Sequence, residues 1–153
     1  MKPIRNSAKA VIIRNDQVLL TKNQDDQGYF FYLFPGGGQE PGEQLSDAVK
    51  RECLEEIGEQ VEVHELLCVR EYIGKNHQFA DWDSAVHQVE FYFSCTLTAE
   101  EPAFQNITNP DSFQVGVEWV ELSQLHAIQV YPRTLASMLT EPATTLRYLG
   151  DAN

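Results

Sequence analysis

The segment from Gly36 to Glu59, GGGQEPGEQLSDAVKRECLEEIGE, constrains the fold more than any other part of the chain. Leu45, Val49, Cys53 and Ile57 recur at every fourth position with Ala48 beside them, giving one apolar stripe on a helix from Leu45 to Ile57. Gly58 stops that helix. Glu52, Glu55 and Glu56 stand at i, i+3 and i+4, so they share a face about one turn apart. The helix must lay its stripe on a hydrophobic surface and leave a row of acids over a cleft. Just upstream, Pro35 and three consecutive glycines break regular structure. Glycines there let the backbone approach a ligand closely, with amides and carbonyls free to face it.

The flanking sequence supplies the surface. Ala8 to Arg14 and Gln17 to Lys22 read as two strands joined by a turn at Asn15-Asp16. Tyr29 to Phe34, Val61 to Ile73, Val86 to Leu97 and Phe113 to Val120 read as further strands. Leu122 to Leu125 reads as one helical turn, and Tyr131 to Leu139 as a second helix with Pro132 in its first turn. Thr144 to Leu149 is a candidate terminal strand. Gly74 to Asp83 and Ala99 to Ser112 read as long polar loops. Strands interleaved with one early and one late helix predict an α/β fold, a mixed sheet covered on its faces.

Length and charge limit the function. The 153 residues suit a single domain spanning 1–153. The net charge of −12, with no Lys/Arg cluster, argues against a nucleic-acid polymer as partner. A small phosphorylated molecule remains compatible if a divalent cation bridges it to carboxylates. The three cysteines, Cys53, Cys68 and Cys95, form no Cys-x-x-Cys pair, so neither a zinc site nor a disulfide framework is signalled. No stretch reaches the roughly 18–20 apolar residues that span a bilayer, and Met1 to Asn6 lacks the apolar run of a signal peptide. The expectation is a cytoplasmic protein without a membrane partner, compatible with a homodimer.

Three carboxylates on one helical face repel one another, and a hard cation such as Mg²⁺ fits the need, because it takes oxygen ligands and keeps substrate phosphates in its shell. Arg51, next in sequence, is placed to orient one of them. The alternative is a solvated acidic face.

At this point the chain resembles the Nudix (MutT-type) family. The signature of that family is Gly, five residues, Glu, seven residues, Arg-Glu, an aliphatic residue, any residue, Glu-Glu, any residue, Gly and an aliphatic residue. Gly37, Glu43, Arg51, Glu52, Glu55, Glu56 and Gly58 supply all seven fixed identities. Cys53 and Glu59 depart at the two aliphatic places, in a box spanning 37–59. The likeness extends over about residues 5–140 through the Ala8–Lys22 hairpin, the approach Leu33 to Gly37, and Glu118-Trp119-Val120. It implies a Nudix-type α/β/α sandwich with a mixed β-sheet.

The resemblance also implies roles. Glu52, Glu55 and Glu56, with the backbone carbonyl of Gly36, would bind Mg²⁺, or Mn²⁺ in its place. Glu52 or Glu56 would take a proton from the attacking water. Glu43 would orient the metal shell, and Glu118 would serve as a ligand or base from outside the box, with Glu90 as its competitor. Read from the residues alone, Glu118 and Glu90 are ordinary strand carboxylates. Lys22 and Gly37 are candidates for substrate contact, and of His87 and Gln88 at most one faces a substrate. Tyr29, Phe31, Phe79 and Trp82 are candidate stacking surfaces.

The implied activity is hydrolysis of a diphosphate linkage in a nucleoside diphosphate joined to another moiety. Two alternatives stand beside it: a nucleotide sensor without turnover, and a prenyl diphosphate isomerase, which needs a Cys facing the substrate. Substrate identity is not legible in Tyr72 to His77, which offers neither the Pro nor the Tyr that marks some relatives at the expected place. The loops Gly74–Asp83 and Ala99–Ser112 are expected to set specificity.

Overall fold

The computed structural model describes residues 2–141 and 146–153. Strands β1 (Arg5–Arg14) and β2 (Gln17–Gln24) form the expected hairpin, with Arg14 opposite Gln17. Asn15 and Asp16 take positive φ of 53° and 60°, the conformation a two-residue turn of this kind requires and Asn and Asp tolerate. The remaining strands are β3 (Phe30–Leu33), β4 (Gly36–Gly38), β5 (Val61–Ile73), β6 (His87–Leu97), β7 (Gln114–Glu121), β8 (Val130–Tyr131) and β9 (Arg147–Asp151). Helices α1 (Leu45–Ile57), α2 (Ala80–Asp83) and α3 (Arg133–Leu139) complete the fold.

The strand order is β8-β3-β2-β1-β6-β5-β9, with β7 paired to β2 and β4 paired to β1. β1 runs parallel to β6 from Arg5 to Ile12 but meets β2 only at Ile13 and Arg14. The sheet therefore parts between its two halves along most of β1, and the parting opens a cleft.

Both faces of β1 are buried, which explains its near-continuous apolar run. Ala8, Ala10 and Ile12 pack against Ala48, Val49, Cys53 and Ile57 of α1. Val11, with Val18 and Leu20 of β2, packs on the other side with Leu135, Ala136 and Met138 of α3. Burying Val49 or Ile57 completely stabilises the docking of α1 by about 1.5–3 kcal/mol each.

α1 has the limits its periodicity predicts. Asp47 accepts from the N–H of Gln44 at its start, and Gly58, at φ 69°, closes it with a bond to the Cys53 carbonyl.

Several expectations need correction. Gly36 to Gly38 do not break the sheet; they pair antiparallel with Ser7 to Lys9 as β4. A Cβ on Gly36 would lie 2.2 Å from the Ala8 carbonyl oxygen, so only glycine permits the approach. The second helix starts at Arg133, because Tyr131 joins β8. The terminal strand is Arg147–Asp151; Thr144 and Thr145 of the expected strand lie outside the described residues. The loop Gly74–Asp83 contains a 3-10 turn (Gly74–Asn76) and α2.

The loop Ala99–Ser112 turns back under the C-terminus of α1. Thr108 and Asn109 donate their N–H groups to the Glu55 carbonyl at 3.1 and 3.0 Å, satisfying a helix end that would otherwise lack a partner. Among the described residues no helix is long and apolar enough to cross a membrane.

Candidate active site

Arg51 organises the acidic face of α1. Its Nε and Nη2 donate to the two carboxylate oxygens of Glu43 at 3.1 and 2.7 Å. Its Nη1 donates to Glu52 at 3.0 Å and lies 3.5 Å from Glu55. Nη2 also donates to the Gly38 carbonyl at 2.8 Å, tying the helix to β4. The guanidinium's fixed fork can serve several acceptors at once, which a lysine could not do in one geometry. The hydrogen bonds from Arg51, with the Glu40 N–H, hold the Glu43 carboxyl below its ordinary range. Arg51 thus screens a row of acids rather than orienting a single one.

Glu52 and Glu56 belong to the same helix but to different environments. Glu52 lies against Gly37, where an added Cβ would meet its carboxyl carbon at 2.6 Å. Partial burial raises its pKa against the pull of Arg51. Glu56 is 2% exposed. One of its oxygens, Oε2, accepts from the Gly36 N–H at 3.1 Å, while Oε1 is buried with no hydrogen-bond partner. Burial pushes this carboxyl up to about 8, although Lys9 opposes the shift; Asp111, from the loop before β7, adds to it.

A buried carboxylate oxygen without a partner is costly. A divalent cation beside Oε1 would meet that need, and Glu52 and Glu55 lie along the same helical face. These donors fit a hard cation. They are not already drawn into one ligand set: among the described residues no three His, Cys, Asp or Glu side chains converge as a preformed metal cluster. The Gly36 carbonyl, expected to face a metal, accepts from Lys9 Nζ at 3.2 Å. A carbonyl has two lone pairs, so this bond leaves one free.

The sequence-derived candidates separate into two groups. Gly36, Gly37, Glu43, Arg51, Glu52, Glu55 and Glu56 are brought together. Glu118 and Lys22 are not. Glu118 stands opposite Leu20, whose side chain belongs to the α3 side of the sheet. Its neighbours Val117 and Trp119 pack on the α1 side. Strand alternation therefore turns Glu118 away from the glutamate row. It pairs with Lys22 at 3.2 Å and accepts from the Tyr32 hydroxyl at 3.3 Å, while Lys22 lies 4.2 Å from the centre of the Phe30 ring.

The parting of the sheet forms a cleft of about 1110 Å³. Glu90, Gln88 and Tyr92 of β6 and Arg70 of β5 line its floor, and Trp82 and Phe79 stand on its rim. Of His87 and Gln88, it is Gln88 that faces the cleft; His87 bonds Glu71 at 2.8 Å. The loop Gly74–Asp83 walls the cleft as expected, but Ala99–Ser112 does not, and Asp25 to Gln27 take that place. All three cysteines are buried, so none faces a substrate as an isomerase would require.

Lys9 is the residue that sequence reasoning missed. It lines the cleft and also reaches Gly36, so it joins the cleft to the glutamate helix. Its signal was present: a lysine inside AKAVII, a run apolar enough to be covered on both faces, is an anomaly.

A mixed sheet between helices, with a glutamate-bearing helix held by arginine against a triple-glycine strand, is the frame of a Nudix hydrolase. The NUDIX domain model matches residues 3–139, and the chain belongs to that family. Nudix hydrolases generally use divalent metal ions. The chain is 28% identical over 128 residues to a nucleoside triphosphatase NudI of Enterobacter sp. (strain 638), covering 81% of this chain and 86% of that protein. A NUDIX hydrolase from Nitrosomonas europaea superposes with a TM-score of 0.67 at 21% identity, over 90% of this chain and 87% of that one. An ADP-ribose pyrophosphatase from Streptococcus suis gives 0.61 at 19% identity, over 94% and 98%. At these identities the two solved structures establish the fold alone.

Proposed function

We propose that this Nudix hydrolase cleaves a diphosphate linkage in a nucleoside diphosphate joined to another moiety, using Mg²⁺, or Mn²⁺ in its place. The observation that carries the reading is the buried, partnerless Oε1 of Glu56 beside Gly36, which Lys9 links to a cleft large enough for a nucleotide. The name of the chain's 28%-identical relative, a nucleoside triphosphatase, supports a nucleotide substrate.

Glu52, Glu55 and Glu56 would hold the cation. When bound it neutralises the diphosphate and polarises its oxygens. Arg51 and Glu43 fix the carboxylates, so little reorganisation is needed during reaction. Glu52 takes the proton from the attacking water, since it is more accessible than the fully buried Glu56. Lys9, between helix and cleft, donates to a phosphate oxygen.

The test is product release from a panel of nucleoside triphosphates and nucleotide sugars, with and without Mg²⁺. Metal-dependent turnover of some member is expected. Tight nucleotide binding without turnover would make the protein a sensor instead.

A further inference from the structure

The cleft floor holds a charged residue that has no role in the hydrolysis proposed above. Glu90 is 4% exposed. Both of its hydrogen bonds fall on Oε1, from Arg70 Nε at 2.7 Å and from the Tyr92 hydroxyl at 2.5 Å. Oε2 receives none among the described residues. Glu56 Oε1 is the one fully buried and partnerless side-chain oxygen found among them, so Glu90 Oε2 retains access to the cleft that Glu90 lines. Burial would raise the Glu90 carboxyl, but Arg70 and Lys9 outweigh it and keep the group below its ordinary value. Glu90 Oε2 is therefore an acceptor that cannot donate.

Above it, the cleft is rimmed by aromatic rings. Phe79 stacks on Trp82 with centroids 6.4 Å apart, Tyr131 meets Phe79 edge-on at 5.7 Å, and Phe31 lies 6.4 Å from Tyr131. A flat ring suits such a rim, which shares one cleft with Glu90.

We infer that Glu90 is a specificity-determining residue whose free carboxylate oxygen accepts from an exocyclic amino group, selecting amino-bearing nucleobases over oxo-bearing ones. This rests on the nucleotide-hydrolase reading above. An amino group offers Oε2 a donor, as at N4 of cytosine. Uracil places a carbonyl oxygen at the same position, and two lone-pair-bearing oxygens would face each other across a desolvated floor. A carboxylate oxygen sealed against an acceptor, with neither water nor a donor to meet it, makes such a mismatch expensive. Arg70 and Tyr92 act through Glu90 by fixing its rotamer; they are positioning residues.

The experiment compares CTP with UTP, which differ only on the base edge. The wild-type protein is expected to favour CTP in kcat/KM by about 10- to 100-fold, the worth of one hydrogen bond to a charged group. In Glu90→Gln, which keeps side-chain size and can present a donor, the ratio should fall to about unity or invert, with metal dependence unchanged. CMP and UMP are also compared by thermal shift in chelator, where CMP should protect wild type more strongly; this decides the matter if the variant fails to fold. Equal use of CTP and UTP by wild type, equal protection by the monophosphates, or a uniform loss in Glu90→Gln with the ratio preserved overturns the assignment while leaving the hydrolase intact. Failure to turn over any nucleotide removes the hydrolase reading itself.

Discussion

The ammonium of Lys9 donates to the carbonyl of Gly36 across 3.2 Å, so a strand on the cleft floor touches the backbone that leads into the glutamate helix. Two opposite effects of removing it follow. Lys9→Met takes a positive charge away from the place where a cation is expected, so half-saturation by Mg²⁺ should shift to lower concentration. It also removes a donor to the substrate phosphates, so KM should rise roughly tenfold, about one charge-assisted hydrogen bond. Steady-state kinetics over a Mg²⁺ series reads both, and weaker Mg²⁺ dependence of the variant would reject the placement of Lys9.

Glu56→Gln and Glu52→Gln should each lower kcat by at least ~10²-fold, by analogy with loss of one electrostatic stabiliser. The two differ in stability. Glutamine at 56 is nearly isosteric with the buried carboxyl and carries no charge to desolvate, so the chelator-treated variant should melt no lower than wild type. Wild-type rates in either variant sink the assignment of the glutamate row.

Mg²⁺ should raise the melting temperature, and chelation should abolish activity reversibly. A ligand that binds only the folded chain stabilises it by mass action, about 2.7 kcal/mol at a hundredfold excess over Kd. Mn²⁺ should restore activity after chelation. Activity that survives chelator, with a melting curve indifferent to millimolar Mg²⁺, would count decisively against a metal-dependent enzyme.

Trp82 is 75% exposed on the rim of the cleft. Its ring pins little of the core, so Trp82→Ala should leave the melting temperature nearly unchanged. Relative kcat/KM among substrates should change instead, because the ring is placed to stack on the part of the substrate that varies. A uniform loss across substrates together with a lower melting temperature would assign Trp82 a structural role.

Asp151 joins β9 to the wall of the cleft, accepting from the Ile73 N–H at 2.9 Å and Asn76 at 2.8 Å and pairing with His77 at 2.6 Å. Burial would raise its carboxyl, but these partners outweigh burial and bring it below the ordinary aspartate value. A carboxyl depressed in the fold stabilises it above the unfolded pKa, and the contribution disappears as pH falls through the folded value. The docking of β9 should therefore hold at neutral pH and loosen below about pH 4. Hydrogen exchange at Ile73 and Ala152 measures this; protection unchanged down to pH 2 would dismiss the role of Asp151.

The glutamate helix was legible because everything that defines it is local. Its stripe, its glycine stop and the spacing of Glu52, Glu55 and Glu56 lie within one segment, and helical periodicity fixes their relative positions. The hairpin at Asn15-Asp16 was legible for the same reason. Tertiary structure decided what depends on strands meeting across long separations. The register of β2 with β7 turned Glu118 to the α3 side, where only the alternation of a paired strand could place it. The pairing of β5 with β6 set Arg70 opposite Glu90, twenty residues away in sequence. The return of residues 99–112 beneath α1 put Thr108 and Asn109 on the helix end instead of on the cleft wall. Sequence pattern fixes which residues share a face of one element; which face meets the cleft depends on how elements pair and what covers them, and no single segment carries that information.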